Sequence, residues 1–333
     1  MDRLSIDRIE YHLPANIVTN DDLARANPEW EMDKVGSKTG VRQRHIAAEN
    51  ETALDLALAA CKKFGTDLND VDALIFCTQS GDYIMPPNAC VLHKLLALPE
   101  KVLAFDFNLA CSGYVYGLAI AQGLLLARTA KKVLFVTGDT YSRYINKKDR
   151  SSSVLFGDGA AASILTLNGP GNTIVDIECA TSGKDFEKFI LWAGGCRIPR
   201  SEKTGEVVID NSGNAKSQEN VQMDGMGILT FVNSCVPKQV RSVLSRNNLK
   251  VEDIDLFVFH QASNMVLDSL TRMLMIKPER VFRNIATVGN TVSTSIPVAL
   301  KDALDAGLVK KGGKVILSGF GVGLSWATAL MEA

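Results

Sequence analysis

Continuous apolar runs alternate with longer helical patterns along the chain. Five runs dominated by apolar residues cover residues 72–77, 132–137, 160–167, 255–260 and 314–319. Runs of this length without a polar face are typical of strands that are covered on both sides, as in α/β proteins. Residues 111–128 are small and apolar throughout, which predicts a buried helix.

The second half of the chain repeats the pattern of the first. Residues 72–77 resemble 255–260, residues 132–137 resemble 314–319, and each pair brackets a helix rich in small residues. This order and spacing indicate an internal duplication. A Gly, Pro and Asn cluster begins at Asn168 and marks the join. We therefore predict two halves, residues 1–168 and 169–333, whose equivalent loops surround a shared cleft.

Composition narrows the class of protein. The chain has 333 residues, 46% of them hydrophobic and 22% charged, with a formal net charge of -1. This balance is ordinary for a globular protein and gives no basic face for nucleic acid or anionic lipid. The charged N-terminus lacks a signal peptide, and the most apolar stretch, 118–127, is too short to span a bilayer. We expect a protein that binds neither nucleic acid nor membrane.

The cysteines indicate a reducing compartment. The seven cysteines are scattered and none lies in a CxxC pair. This pattern favours free thiols in the cytoplasm over a disulfide scaffold or a zinc site. We expect no bound metal, since no group of ligands has metal spacing.

Cys111 is the candidate nucleophile. A strand-like run precedes it and the predicted buried helix follows, so the thiol lies near a helix N-terminus, where unpaired N–H groups favour a thiolate. Gly113 permits close approach of another backbone. The alternative is a core role, because free cysteine is among the most buried residue types.

His260 and Asn290 are the candidate partners of Cys111. His260 ends a strongly apolar strand, the position where ligand sites gather in α/β sheets. Asn290 follows Gly289, and its amide can donate a hydrogen bond to a developing oxyanion. A satisfied structural histidine and an ordinary Gly-Asn turn are the alternatives.

Three segments, at residues 110–113, 260–262 and 289–297, together resemble β-ketoacyl-acyl carrier protein synthase III, a family of the thiolase-like superfamily. Segments at 39–46, 149–150, 156–161 and 319–323, the last before Trp326, support the likeness, which extends from about Leu13 to Leu330. The shared order and spacing of the motifs make the likeness specific. It implies an α/β, duplicated thiolase-like fold with two pseudo-symmetric halves in αβαβα layers, usually a homodimer.

The resemblance also implies residue roles. Cys111, His260 and Asn290 match the catalytic triad, and the backbone N–H groups of Cys111 and Val322 match the oxyanion hole. Met85 matches a residue with which one subunit closes the acyl pocket of the other.

Other matched positions concern coenzyme A and the carrier protein. Arg150 matches a coenzyme A-contacting arginine, while Lys34 and Lys38 replace a family tryptophan and arginine at the coenzyme A site. Met265 replaces a docking arginine, and Arg272 retains one basic contact for the acyl carrier protein. The substitutions leave the acyl donor and the carrier open.

These residues suit a decarboxylative Claisen condensation. A thiolate is both a good nucleophile and a good leaving group, so Cys111 would accept an acyl group from an acyl-CoA. A malonyl thioester on an acyl carrier protein would then lose carbon dioxide, and His260 and Asn290 would donate hydrogen bonds to the enolate oxygen. No permanently bound cofactor is needed; coenzyme A thioesters are substrates.

Three alternatives compete with this interpretation. Gly319, Gly321 and Gly323 hint at a nucleotide-binding oxidoreductase, but their spacing is G-x-G-x-G rather than G-x-G-x-x-G. A second alternative is an acyltransferase that passes the acyl group to an alcohol or amine. The third is a non-catalytic subunit of a synthase complex, which would have no need of the triad.

Overall fold

The computed structural model describes residues 2–333 and contains strands and helices in alternation. The strands are β1 (Leu4–His12), β2 (Ile17–Thr19), β3 (Gln43–His45), β4 (Ala73–Cys77), β5 (Leu103–Phe107), β6 (Lys132–Asp139), β7 (Gly159–Leu167), β8 (Asn172–Thr181), β9 (Phe189–Leu191), β10 (Val208–Ile209), β11 (Ala215–Lys216), β12 (Val221–Met223), β13 (Leu256–Phe259), β14 (Lys314–Gly321) and β15 (Ser325–Glu332). The helices are α1 (Asn20–Ala26), α2 (Met32–Thr39), α3 (Ala53–Lys62), α4 (Asn88–Leu95), α5 (Gly113–Leu126), α6 (Arg150–Ser153), α7 (Glu202–Gly205), α8 (Gly225–Arg246), α9 (Asn264–Leu274), α10 (Ile285–Val288) and α11 (Ser295–Asp305).

The strands predicted from apolar runs all belong to one nine-stranded mixed sheet. Its order is β13-β14-β15-β8-β1-β7-β6-β4-β5. β4 is parallel to β5 and β6, and β13 is parallel to β14, while β1, β7, β8 and β15 pair antiparallel. The predicted α/β class is therefore confirmed.

Three helical layers alternate with the two ends of the sheet, which gives five layers in all. α5 and α11 contact strands from both ends of the sheet and form the central helical layer. α3 and α4 cover the β4–β7 side, and α8 with α9 covers the β13–β15 side. A buried cluster that includes Leu118, Val258 and Ile296 fills the space around α5 and α11. This arrangement buries the N-terminal ends of both central helices, where the site lies.

Two of the three parallel pairs, β4–β6 and β13–β14, are fastened in the same way. The Asp72 N–H donates to the Lys132 carbonyl at 3.1 Å, and the Asp72 carboxylate accepts from the Lys132 N–H at 2.9 Å. Asp255 repeats both bonds with Lys314, at 2.9 and 2.8 Å. The repetition agrees with a duplication. The boundary between residues 168 and 169 stays a prediction.

The polar stretch 200–220 forms an exposed excursion, as its composition indicates. It holds α7 and the short β10–β11 hairpin, in which Val208 and Ile209 are largely exposed. Within residues 2–333, no helix combines the length and the apolar character needed to cross a bilayer.

Gly117 sets how closely α5 approaches β6. A Cβ atom at this position would lie 2.0 Å from Cζ of Phe135, a buried ring stacked on Tyr114. We predict that Gly117→Ala lowers the free energy of unfolding by about 1–3 kcal/mol, since overpacking outweighs the gain in helix propensity. Thermal unfolding followed by circular dichroism would measure the change.

Gly123 supplies the control on the same helix. It is exposed, and a Cβ there would meet no atom within 4 Å. Gly123→Ala should be neutral or stabilise the protein by up to about 1 kcal/mol. Equal losses in the two variants would contradict the packing argument.

Candidate active site

Cys111 occupies the turn between β5 and α5. The Gly113 N–H donates to the Ala110 carbonyl at 2.7 Å, which closes the turn and starts the helix two residues after the thiol. The Cys111 side chain is only 3% exposed. The sequence thus places the sulfur at the buried N-terminal end of a central helix.

Glycines let the backbone of β14 approach this turn. A Cβ at Gly319 would lie 2.4 Å from the Cys111 carbonyl oxygen, and one at Gly321 would lie 3.1 Å from the Cys111 sulfur. There is likewise no space for a side chain at Gly113, because a Cβ there would lie 2.4 Å from the Cys77 sulfur. The glycine-rich end of β14 therefore forms a wall beside Cys111.

His260 follows the last residue of β13. Its backbone N–H donates to the Ser318 carbonyl at 2.8 Å, which continues the pairing with β14. The ring is 1% exposed and packs edge-on against Phe320, with 5.7 Å between centroids. Among residues 2–333, its Nδ1 has no hydrogen-bond partner. Burial lowers the pKa of His260 to about 3, so the imidazole is neutral at physiological pH.

Backbone hydrogen bonds to neighbouring segments hold the main chain of Asn290, and the turn that follows holds its side chain. Its N–H donates to the Leu155 carbonyl at 2.9 Å, and its carbonyl accepts from the Gly157 N–H at 2.9 Å. The side-chain Oδ1 accepts from the Val292 N–H at 3.0 Å. A backbone N–H can pair only with the oxygen of the carboxamide, so the Nδ2 group is left as the donor.

Cys111, His260 and Asn290 line one cavity of about 600 Å³. They come from the turn before α5, the end of β13 and the segment before α11. The structure therefore brings together the three side chains that the sequence singled out. Sequence reasoning missed the aromatic walls, which are Phe156, Phe189 and Phe320.

Two of the predicted coenzyme A residues lie at this cavity. Lys38 and Arg150 are among its lining residues, whereas Lys34 is exposed and pairs with Glu31 at 2.8 Å. Trp30, which lies four residues before the position of the family tryptophan, is 8% exposed and packs in a small core, so its ring is not presented to the cavity. The coenzyme A role of all three cations stays a prediction.

A second cavity of about 510 Å³ adjoins the first across Phe189. Val322 lines this second cavity. The Ser325 hydroxyl donates to the Val322 carbonyl at 2.7 Å and also lies 2.7 Å from the Ser112 hydroxyl, which ties the Val322 turn to the residue after the nucleophile.

Met85 and Arg272 lie outside both cavities. Met85 is 79% exposed in a loop, and Arg272 is exposed on α9. Asp268, on the same helix, pairs with Arg283 at 2.7 Å. The predicted gating and docking roles are therefore not formed within the single chain and stay predictions.

The electrostatics of the site favour a neutral thiol. Burial raises the pKa of Cys111, and the nearby carboxylate of Asp139 raises it further. These effects oppose the helix N-terminus, which the sequence predicted to favour a thiolate. Asp139 was missed because an acid at the end of a strand commonly faces solvent, and no local pattern in the sequence marks this one as buried.

Comparisons with known proteins agree with the geometry. The family 3-oxoacyl-[acyl-carrier-protein] synthase III matches residues 105–183, and the C-terminal family of the same description matches residues 244–333. A β-ketoacyl-[acyl-carrier-protein] synthase III of Fusobacterium nucleatum is 32% identical, with 100% of this chain and 99% of that protein covered.

Solved structures give the same result. A 3-oxoacyl-(acyl-carrier-protein) synthase III superposes with a TM-score of 0.96 at 38% identity, covering 99% of this chain and 100% of the other. The enzyme of Pseudomonas aeruginosa gives 0.85 at 32% identity, covering 99% and 98%. The predicted thiolase-like fold is confirmed.

The low pKa of His260 gives a testable prediction. We expect the ring to remain neutral at pH 5, because its folded pKa is about 3. An unfolded histidine, with a pKa of about 6.5, binds a proton below that pH, so this residue's contribution to stability falls as pH drops from about 6.5 towards 3. Heteronuclear NMR of the ring would report the charge, with His260→Gln to assign the signal. A titration midpoint near 6.5 would contradict the burial argument.

Proposed function

Because this chain belongs to the 3-oxoacyl-[acyl-carrier-protein] synthase III family, we propose that it condenses an acyl-CoA primer with a malonyl thioester on an acyl carrier protein. The observation that carries the proposal is the meeting of Cys111, His260 and Asn290 in one cavity. A thiol, an imidazole and a carboxamide are the groups that acyl transfer followed by decarboxylation requires.

The first step is acyl transfer to Cys111. Its sulfur attacks the thioester carbonyl of the acyl-CoA, and the carbon–sulfur bond to coenzyme A breaks. The proton of the Cys111 thiol ends on the departing coenzyme A thiol, so one thioester is exchanged for another. We assign the oxyanion contacts of this step to the N–H groups of Cys111 and Val322. The hydrogen bond from Ser325 to the Val322 carbonyl supports that assignment, because it fixes the turn.

The second step is decarboxylation and condensation. The malonyl thioester loses carbon dioxide and leaves an enolate, whose carbon attacks the acyl group on Cys111. The products are a 3-oxoacyl thioester and free Cys111, which regains a proton. His260 is neutral and can donate an N–H, and the Asn290 Nδ2 is free to donate because Oδ1 is already engaged. Both donors would stabilise the enolate oxygen.

Substrate recognition is assigned to the mouth of the cavity. We propose that Lys38 and Arg150 contact the phosphates of coenzyme A, with Lys34 as an outer contact. Arg272, exposed on α9, would contact an acidic carrier protein. Exposed cations of this kind steer an anionic partner more than they hold it.

We further propose a cytoplasmic homodimer. β5 is the last strand at one edge of the sheet. In the loop beside it, Tyr83 is 61% exposed, Ile84 96% and Met85 79%. An open strand edge next to exposed apolar side chains favours coverage by another chain. In a homodimer, Met85 would close the acyl pocket of the partner. The free state of all seven cysteines is what the cytoplasm would maintain.

The loading step has a direct test. Incubation with a panel of acyl-CoAs should add one acyl mass to the protein, as measured by intact-mass spectrometry. Cys111→Ala should abolish the adduct, because no other thiol lines the cavity within the described residues. Cys90→Ala, at an exposed cysteine, is the matched control and should load normally. Loading that survives Cys111→Ala would refute the assignment of the nucleophile.

The same assay separates the two steps. His260→Ala should retain loading but lose malonyl decarboxylation by about 10²–10³, the cost of one oxyanion donor. Asn290→Asp should impair condensation more than loading, because it places a negative charge beside a forming anion. Equal losses in both steps would indicate a misfolded site. Formation of an acyl ester or amide instead of a 3-oxoacyl product would favour the acyltransferase alternative.

The dimer is tested by sedimentation. Ile84→Glu should shift the protein from dimer to monomer, because a buried unpaired charge opposes the contact. Leu308→Glu, at an exposed leucine after α11, is the matched control and should remain dimeric. A monomeric wild-type protein would rule out this interface.

A further inference from the structure

Asp139, at the end of β6, is a buried carboxylate without a cation. Its side chain has no solvent exposure and forms no salt bridge among residues 2–333, and burial raises its pKa to about 6. Buried charges are normally paired or replaced, because removing them from water is costly. A carboxylate kept here indicates that its hydrogen bonds serve the site.

Hydrogen-bond donors from two loops surround the carboxylate. Its Oδ1 accepts from the Gln79 N–H at 2.8 Å, with the hydroxyls of Thr78 and Ser80 each 3.4 Å away. Its Oδ2 accepts from both the hydroxyl and the N–H of Ser293, the latter at 3.3 Å. Asp139 therefore joins the loop after β4 to the turn before α11.

The turn before α11 presents the proposed enolate donor. Asn290 lies three residues before Ser293, and its Oδ1 accepts from the Val292 N–H. The bonds from Ser293 to Asp139 thus fix the turn whose N–H group orients the Asn290 carboxamide. Without the carboxylate, the turn would lose its anchor to β6.

The loop after β4 supports the segment that leads to the nucleophile. Gln79 Nε2 donates to Asn108 Oδ1 at 2.9 Å, and the Thr78 N–H donates to the Phe107 carbonyl at 3.3 Å. Residues 107–110 continue directly into Cys111. Asp139 therefore holds both the nucleophile segment and the Asn290 turn.

The charge of Asp139 also acts on the sulfur. It raises the pKa of Cys111, second only to burial. The carboxylate also raises the pKa of Cys77, Tyr141 and Tyr144, and burial is the larger cause in each case. Asp139 is thus the anion that disfavours the bare thiolate, whereas an acylated sulfur is neutral and meets no such opposition.

We propose that Asp139 is a positioning residue for condensation, whose hydrogen bonds hold the Asn290 turn and the segment before Cys111 in place. The negative charge of the same carboxylate also disfavours the Cys111 thiolate. The inference rests on the proposed function, because it assigns Asn290 to the decarboxylation step. It implies that removing the charge without changing the shape has opposite effects on the two parts of the site. A residue with only a structural role would weaken both together.

Asp139→Asn is the test, with two measurements. The first is the rate at which iodoacetamide alkylates Cys111 between pH 6 and 9, measured by peptide mass spectrometry. We expect faster alkylation at each pH, since removing the negative charge near the sulfur increases the fraction of Cys111 present as thiolate. The second is malonyl-CoA decarboxylation per loaded enzyme, which should fall by about tenfold to a hundredfold through misplacement of Asn290.

Two further variants separate charge from position. Ser293→Ala keeps the carboxylate, so it should leave alkylation slow but reduce decarboxylation. Asp158→Asn is the matched control. Asp158 is equally buried, and it accepts hydrogen bonds from Ser142 and from the Ala47 N–H, the latter at 2.8 Å. It is not among the charges that act on Cys111. It should not accelerate alkylation. If Asp139→Asn does not fold, Asp139→Ser replaces it in both assays.

The proposal is overturned if Asp139→Asn alkylates no faster than wild type, or if Ser293→Ala decarboxylates normally. Alkylation needs no acyl substrate, so it tests the charge effect even if the condensation itself is wrong. Failure of the wild-type protein to load any acyl group would instead refute the proposed function.

Discussion

The site depends on how closely two central helices are packed between the two ends of one sheet. α5 can lie against β6 only because Gly117 leaves space for Phe135, and its N-terminal turn can meet β14 only because Gly319 and Gly321 carry no side chain. Interiors packed at this density do not deform gradually, so Cys111 is positioned by the core rather than by a mobile loop. The other two site residues reach the same cavity from the strand and the helix that α5 and β14 contact.

Burial then decides the charge state of each group before substrate enters. The imidazole of His260 and the thiol of Cys111 are both kept neutral, and the carboxamide of Asn290 carries no charge at any pH. A neutral donor pair is suited to an oxyanion that appears only during the reaction, because no counter-charge has to be desolvated beforehand. The buried carboxylate that raises the pKa of Cys111, Asp139, is held by uncharged hydroxyl and N–H donors.

Much of this architecture is predictable from the sequence, because continuous apolar runs have few alternatives to buried strands. The five predicted strands and the helix after Cys111 are confirmed. The Asp or Lys that begins each run of the repeat takes part in equivalent hydrogen bonds in the two halves, between Asp72 and Lys132 and between Asp255 and Lys314. What could not be predicted depends on tertiary contact. Nothing local distinguishes Phe189, the wall between two cavities, from an ordinary strand residue, and nothing marks Asp139 as buried.

The depth of Cys111 separates it from the other sulfurs of the chain. Cys90, Cys179 and Cys196 are exposed, whereas Cys111 is reached only through its cavity. A bulky oxidant or maleimide therefore meets the three surface thiols first, and total thiol titration reports on them rather than on the nucleophile. The three exposed cysteines are therefore the ones that a bulky thiol reagent modifies, whereas Cys111 is open only to molecules slender enough to enter its cavity.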